Sequence, residues 1–270
     1  MLFQIKINTE CAYECTYCSV YDNTIVQKTF DYKNFKNVIK QYDDIIVFIY
    51  GGEPFQSEDL VDLILFLEEF DNIRCIDIQS NGTNIKKLPS NLRKTNVRLS
   101  YHPSKTTLTK ILNVTKNQYV NSISVMTNNV KHFKEYNILK NLYPEMDILY
   151  CPIVNSKEYG VVDDYLEDVV NDAYGVEYHF DIRFILENGC YKKGNFKCSI
   201  REEVLEIYNN QIFICDMNFN NGITFKNFKR NVHELTDICP SSMCNFNNAK
   251  YIKEDSWKIK KIIYQKLWKT

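Results

Sequence analysis

The sequence predicts an α/β fold built on a parallel sheet. Six short runs rich in β-branched and aromatic residues recur between residues 2 and 153, and stretches with helical apolar spacing lie between several of them. That alternation builds a sheet through crossover connections. The run Ile45-Ile46-Val47-Phe48-Ile49-Tyr50 is apolar throughout, as expected of a parallel strand covered on both faces. The loops that follow the runs carry cysteines, a Gly-Gly pair and an Asn-Gly pair, and α/β folds place their ligands at the carboxyl ends of the strands. Periodicity alone leaves open whether the sheet is flat or curled.

Taken in order, Leu2-Phe3-Gln4-Ile5-Lys6-Ile7 alternates and reads as the first strand. Phe30, Phe35, Val38 and Ile39 give a short helix over 30–42, before the second strand at 45–50. Ser57 reads as the N-cap of a helix through Leu60, Leu63, Ile64, Leu67 and Phe70. The third strand is 75–78, the fourth 97–100, the fifth 123–126 with a helix over 130–142, and the sixth 148–153 with a helix over 161–173. No repeat or linker interrupts this pattern before about residue 180, so the predicted division is 1–180 and 181–270. Beyond it, 204–208 and 211–214 alternate around Asn209-Asn210, a hairpin signal. A lysine-rich helical stretch over 251–268 ends the chain.

Composition narrows the function. The chain has 270 residues, a formal net charge of −1 and ten cysteines. Its balanced charge calls for neither nucleic acid nor anionic lipid, though the basic tail keeps RNA in view. The longest purely apolar run is far too short to span a bilayer and no signal segment precedes the first strand, so a cytoplasmic protein with reduced thiols is expected. Ten cysteines in such a chain point to metal or redox chemistry.

Cys11, Cys15 and Cys18 stand at C-x3-C-x2-C spacing directly after the first strand. Three thiolates in one short loop suit a single metal centre; a closed zinc site wants four protein ligands, and soft thiolates also suit iron–sulfur clusters. A centre with three protein ligands keeps an open position for chemistry, although the spacing also fits a zinc knuckle. Gly51-Gly52-Glu53-Pro54 ends the second strand. Two glycines let a ligand approach the backbone without Cβ interference, and an ordinary strand-to-helix turn is the plainer reading. Ser80 and Asn81 end the third strand, where Asn-Gly is also a turn signal. Ser100 and His102 end the fourth, and His102 reads either as a structural histidine or as a substrate partner that takes a proton near neutral pH. Cys75 and Cys151 lie inside strand runs and read as core.

These residues resemble the signature of the radical SAM superfamily, with Tyr17 as the aromatic residue before the third cysteine. The resemblance implies a partial (β/α)6 barrel. It implies a [4Fe–4S] cluster on Cys11, Cys15 and Cys18 whose open iron chelates S-adenosylmethionine, with the Gly51–Pro54 motif at the methionyl amino group. Ser80, Asn81 and Ser100 would then face the ribose, carboxylate or substrate. The cysteine-flanked hairpin and the later pair resemble twitch or SPASM extensions, as in an aminocyclitol dehydrogenase of aminoglycoside biosynthesis and the anaerobic sulfatase-maturating enzymes. That likeness implies one auxiliary [4Fe–4S] cluster on Cys198, Cys215, Cys239 and Cys244, with Cys190 in reserve; a structural zinc fits the same four thiolates. An auxiliary cluster favours two-electron oxidation of a small metabolite or a peptide side chain. With the cysteine loop starting at residue 11, no room is expected for an N-terminal leader-binding domain, which weakens a peptide cross-linking role. The lysine-rich tail reads as a packed helix with a solvated face, or as a docking surface for a reduced flavodoxin or ferredoxin. A non-catalytic iron–sulfur or zinc protein is the competing class; it needs no pocket for an amino-acid ligand beside the cysteine loop.

Overall fold

The computed structural model describes residues 1–15, 18, 28–127, 132–152, 204–213 and 222–230, with the side chains of residues 127 and 150–152 left aside. Among them are nine strands and four α-helices: β1 (Leu2–Lys6), α1 (Tyr32–Ile39), β2 (Ile45–Tyr50), α2 (Leu60–Glu68), β3 (Ile73–Ser80), β4 (Thr95–Tyr101), α3 (Leu108–Val114), β5 (Val120–Thr127), α4 (Phe133–Leu142), β6 (Asp147–Pro152), β7 (Val204–Tyr208), β8 (Gln211–Phe213) and β9 (Ile223–Thr224). The chain divides into two compact units, Met1–Arg98 with Cys198–Asp237 and Leu99–Lys197 with Ile238–Thr270, so the boundary falls inside β4.

In the first unit the hydrogen-bonded order is β4-β3-β2-β1-β7-β8-β9. β1 pairs in parallel with β2 on one side and with β7 on the other, and β2 pairs in parallel with β3. In the second unit the order is β6-β5-β4, with β5 and β6 parallel. Among the described residues β6 and β9 each pair with a single strand. The division expected near residue 180, the helix over 161–173 and the lysine-rich tail lie outside the described residues.

One face of the first unit's strands is the core. Phe3, Ile5, Val47, Ile49, Ile76, Ile78 and Val97 are buried there. α1 covers it with Phe35, Val38 and Ile39, the Phe3 ring lying 6.0 Å from Phe35 and 5.4 Å from Tyr42. The opposite face alternates with it and is polar: Gln4, Lys6, Tyr50, Asp77, Arg98, Glu206 and Tyr208 share it by register. β2 is therefore not fully covered on both faces in the way its composition suggests, since Phe48 and Tyr50 stay half-buried on the second face.

Several boundaries moved for local reasons. Ser57 does not cap a helix. It closes a 3₁₀ turn over Pro54–Gln56, donating its N–H to the Pro54 carbonyl, and α2 begins after Asp59. α1 starts at Tyr32 because Asp31 caps it, its carboxylate accepting from the Asn34 N–H at 3.1 Å. α3 carries no apolar stripe that sequence could show: Ile111 is its one buried residue, and the Thr107 hydroxyl starts it by accepting from the Lys110 N–H.

Candidate functional site

Three loops of the first unit meet at the carboxyl ends of β1, β2 and β3. The first leaves β1 through Asn8 and Thr9, both buried, and reaches Cys11. The second leaves β2 through Gly51 and Gly52. These loops are in backbone contact: the Gly52 N–H donates to the Asn8 carbonyl at 3.2 Å, the Glu53 N–H donates to the Glu10 carbonyl at 2.6 Å, and the Asn8 side-chain amide donates to the Glu53 carbonyl at 2.8 Å. A Cβ on Gly51 would lie 2.5 Å from the Asn8 carbonyl oxygen, and one on Gly52 would overlap the Glu10 carbonyl. The glycines are required because the chain's own cysteine-bearing loop fills the space a side chain would need.

Glu53 ties the third loop in. Its side chain is fully buried. Oε1 accepts from the Ser80 hydroxyl at 2.7 Å and from the Phe55 N–H at 3.1 Å, while Oε2 accepts from the Asn81 N–H at 2.7 Å. Burial pushes its carboxyl up to about 7, against the pull of those three donors, so it titrates near neutrality. Asn81 then reaches the cysteine loop, its side-chain amide lying 3.7 Å from the Cys11 Sγ. The Ser80 hydroxyl also accepts from the Gly82 N–H. Cys11, Gly51, Gly52, Glu53, Ser80 and Asn81 thus form one connected network.

The thiols themselves are less gathered. Burial raises the pKa of Cys11; the N–H of Tyr13 donates to its Sγ at 3.4 Å and works the other way, while Glu53, Cys15 and Cys18 add to the rise. Cys15 and Cys18 are close enough to act on Cys11 electrostatically, yet among the described residues no three His, Cys, Asp or Glu side chains converge as a metal site would. The donor chemistry fits a three-thiolate cluster, and drawing thiolates together is work that metal binding itself performs. Tyr17, Cys190, Cys198, Cys215, Cys239 and Cys244 lie outside the described residues.

Ser100 and His102 belong to the second unit. Ser100 is buried, and burial together with the Lys105 ammonium lowers His102 to about 4, so its imidazole is neutral at pH 7. Cys75 is buried as expected, and burial lifts its thiol to about 11.

Sequence reasoning missed the partners of these residues. Asn8 reads as a loop residue, and Glu206 as one polar position of a hairpin strand. In the fold Glu206 is 1 % exposed and accepts from the Tyr50 hydroxyl, one residue before Gly51. Asp77 is 2 % exposed and pairs with Arg98 at 2.8 Å, whose guanidinium stands 5.8 Å from the centre of the Phe48 ring. The period-2 placement of Gln4, Lys6, Asp77 and Arg98 was the available signal for a polar face.

The network and the parallel sheet define a class. Residues 5–145 match the family model described as the radical SAM superfamily, and the chain belongs to that superfamily. Among solved structures it is similar to anSMEcpe with bound AdoMet, at 16% identity and TM-score 0.52, covering 81% of this chain and 75% of that one. It is also similar to Streptococcus suis SuiB bound to S-adenosylmethionine, at 17% identity and TM-score 0.58, covering 83% of this chain and 63% of SuiB. SuiB bound to its precursor peptide SuiA matches at 16% identity and TM-score 0.57, covering 82% of this chain and 61% of that one. No curated protein matches the chain significantly. No helix among the described residues is long and apolar enough to cross a membrane.

Proposed function

We propose that this chain is a radical SAM oxidoreductase acting on a polar small molecule or a peptide side chain. The observation that carries the reading is the Glu53 carboxylate, which fastens the Gly-Gly loop, the Ser80-Asn81 loop and, through Asn81, the first cysteine into one network. A non-catalytic iron–sulfur or zinc protein has no need of that second and third loop.

Cys11, Cys15 and Cys18 would hold a [4Fe–4S] cluster, reduced by a flavodoxin or ferredoxin. When bound, the cluster supplies the electron that splits S-adenosylmethionine into methionine and a 5′-deoxyadenosyl radical, which removes a hydrogen atom from the substrate. Gly51 and Gly52 let the backbone of the β2 loop lie against the cysteine loop, which would set the motif's remaining main-chain groups at the methionyl amino group. Glu53, with both oxygens engaged, holds that pocket's shape. The polar face that carries Lys6, Tyr50, Asp77, Arg98 and Glu206 supports a hydrophilic substrate. Oxidation is complete when the substrate gives up one further electron and a proton. Cys198, Cys215, Cys239 and Cys244, in a domain over 181–270, would hold the auxiliary cluster that accepts that electron.

Anaerobic reconstitution with iron and sulfide, then dithionite and S-adenosylmethionine, tests the reading. Release of 5′-deoxyadenosine and methionine by the loaded protein is expected. Zinc instead of iron in the loaded protein, or full iron loading with no 5′-deoxyadenosine, overturns it.

A further inference from the structure

The turn that ends β3 uses only half of the Asn81 side chain. Asn81 is 7 % exposed, and its backbone N–H is held by the Glu53 carboxylate. Its Oδ1 accepts from the Thr83 N–H at 2.9 Å, the bond by which an asparagine stabilises a turn. That bond fixes the rotation of the amide and leaves the Nδ2 hydrogens over. They face the Cys11 Sγ at 3.7 Å, a length that suits a donor to the large sulfur atom. The same sulfur accepts from the Tyr13 N–H at 3.4 Å. Cys11 therefore meets two N–H donors, and one of them comes from a strand end 70 positions away.

The turn has no use for that nitrogen. An aspartate would accept from Thr83 equally well, so the amide nitrogen is explained by what it reaches. A hydrogen bond to a ligating sulfur draws electron density from it and steadies negative charge on the cluster behind it. One-electron reduction adds one negative charge to an iron–sulfur cluster, and hydrogen bonds to the sulfurs help to set its potential. A donor shielded from water acts more strongly than one in solvent. The buried Asn81 amide is shielded in that way, and Glu53 and Thr83 hold it in place.

We propose that Asn81 is a positioning residue that raises the reduction potential of the cluster on Cys11, Cys15 and Cys18, by donating a hydrogen bond to the Cys11 sulfur. This rests on the reading that those cysteines hold a [4Fe–4S] cluster, and it deepens that reading: a loop facing S-adenosylmethionine also makes the cluster easier to reduce. Every residue in the contact belongs to the first unit.

Two substitutions separate this role from that of the turn. Asn81→Asp keeps the acceptor for Thr83 and replaces the donor with a carboxylate oxygen; Asn81→Ala removes both. Each variant and the unaltered protein are reconstituted anaerobically, without S-adenosylmethionine. The midpoint potential is read by electron paramagnetic resonance at about pH 9, where the introduced carboxylate is ionised. The relevant signal is the one lost when Cys11, Cys15 and Cys18 are all replaced by alanine. Asn81→Ala is expected to lower the ratio of reduced to oxidised cluster roughly fivefold at a fixed potential, about 40 mV for a one-electron couple. Asn81→Asp should fall further although it keeps the turn, because it sets a negative charge against the sulfur. Equal potentials in all three proteins overturn the proposal. So does an unaltered potential in Asn81→Asp with a displaced one in Asn81→Ala, the pattern of a residue that only shapes the turn. If Asn81→Ala fails to fold, Asn81→Asp alone decides, and an unlowered potential sinks the idea. An unaltered protein that takes up no iron, or shows no signal dependent on the three cysteines, refutes the cluster reading itself and this inference with it.

Discussion

Glu53 illustrates how one side chain serves three loops. A carboxylate has about four acceptor sites, and here three are taken by donors from β3 and from its own turn. Its burial costs enough that the group titrates near pH 7, and the network is what makes that burial tolerable. His102 shows the converse case. Burial, then the Lys105 charge, lower its pKa from 6.5 to about 4, so the folded chain binds the neutral imidazole. The stability this contributes is complete above pH 6.5 and is lost as the pH falls through 4, roughly 3 kcal/mol in all. Urea unfolding at pH 7, 5.5 and 4 should show His102→Gln losing less stability on acidification than the unaltered chain. Parallel declines for the two proteins would show that His102 is not buried in this way.

At the scale of elements, the decisive feature is what lies beside β1. Sequence gives β7 and β8 as a hairpin, and a hairpin they are. Its register with β1 follows from hydrophobic alternation once the strands are adjacent, but adjacency itself is set by residues some 200 positions apart. The following segment lies along α1. Phe225 is 2 % exposed, with its ring 4.9 Å from Phe35 and 5.7 Å from Phe30. Arg230 donates to the Gln41 carbonyl at 3.0 Å and covers the Tyr42 ring at 4.9 Å. The stretch 222–230 is thus core to the first unit. Phe225→Ala is expected to cost about 3–5 kcal/mol, read as a lowered denaturation midpoint with little change in slope. A cost below about 1 kcal/mol would mean that α1 packs without it.

For the molecule as a whole, the core and the chemical site are separable. The buried apolar residues of β1, β2, β3, α1 and α2 do not include Cys11, Cys15 or Cys18. Replacing all three cysteines with alanine is therefore expected to abolish S-adenosylmethionine binding and to lower the iron content by one cluster while leaving far-UV circular dichroism within error of the unaltered protein. Collapse of the fold in that variant would show that the loop is structural.

The sequence by itself determined the alternation of strands and helices, the thiol spacing, and the glycine, serine and asparagine residues at strand ends. Each of these is written within a few neighbouring positions: a period of two, a period of 3.6, a turn dipeptide, three thiols in eight residues. Tertiary structure alone decided that Glu53 knots three loops, that the Glu10 carbonyl rather than a ligand forbids a side chain at Gly52, that Tyr50 meets Glu206, and that Asn210 meets Thr29 and Asp31. Those facts depend on which distant strands lie side by side, and no local period carries that information.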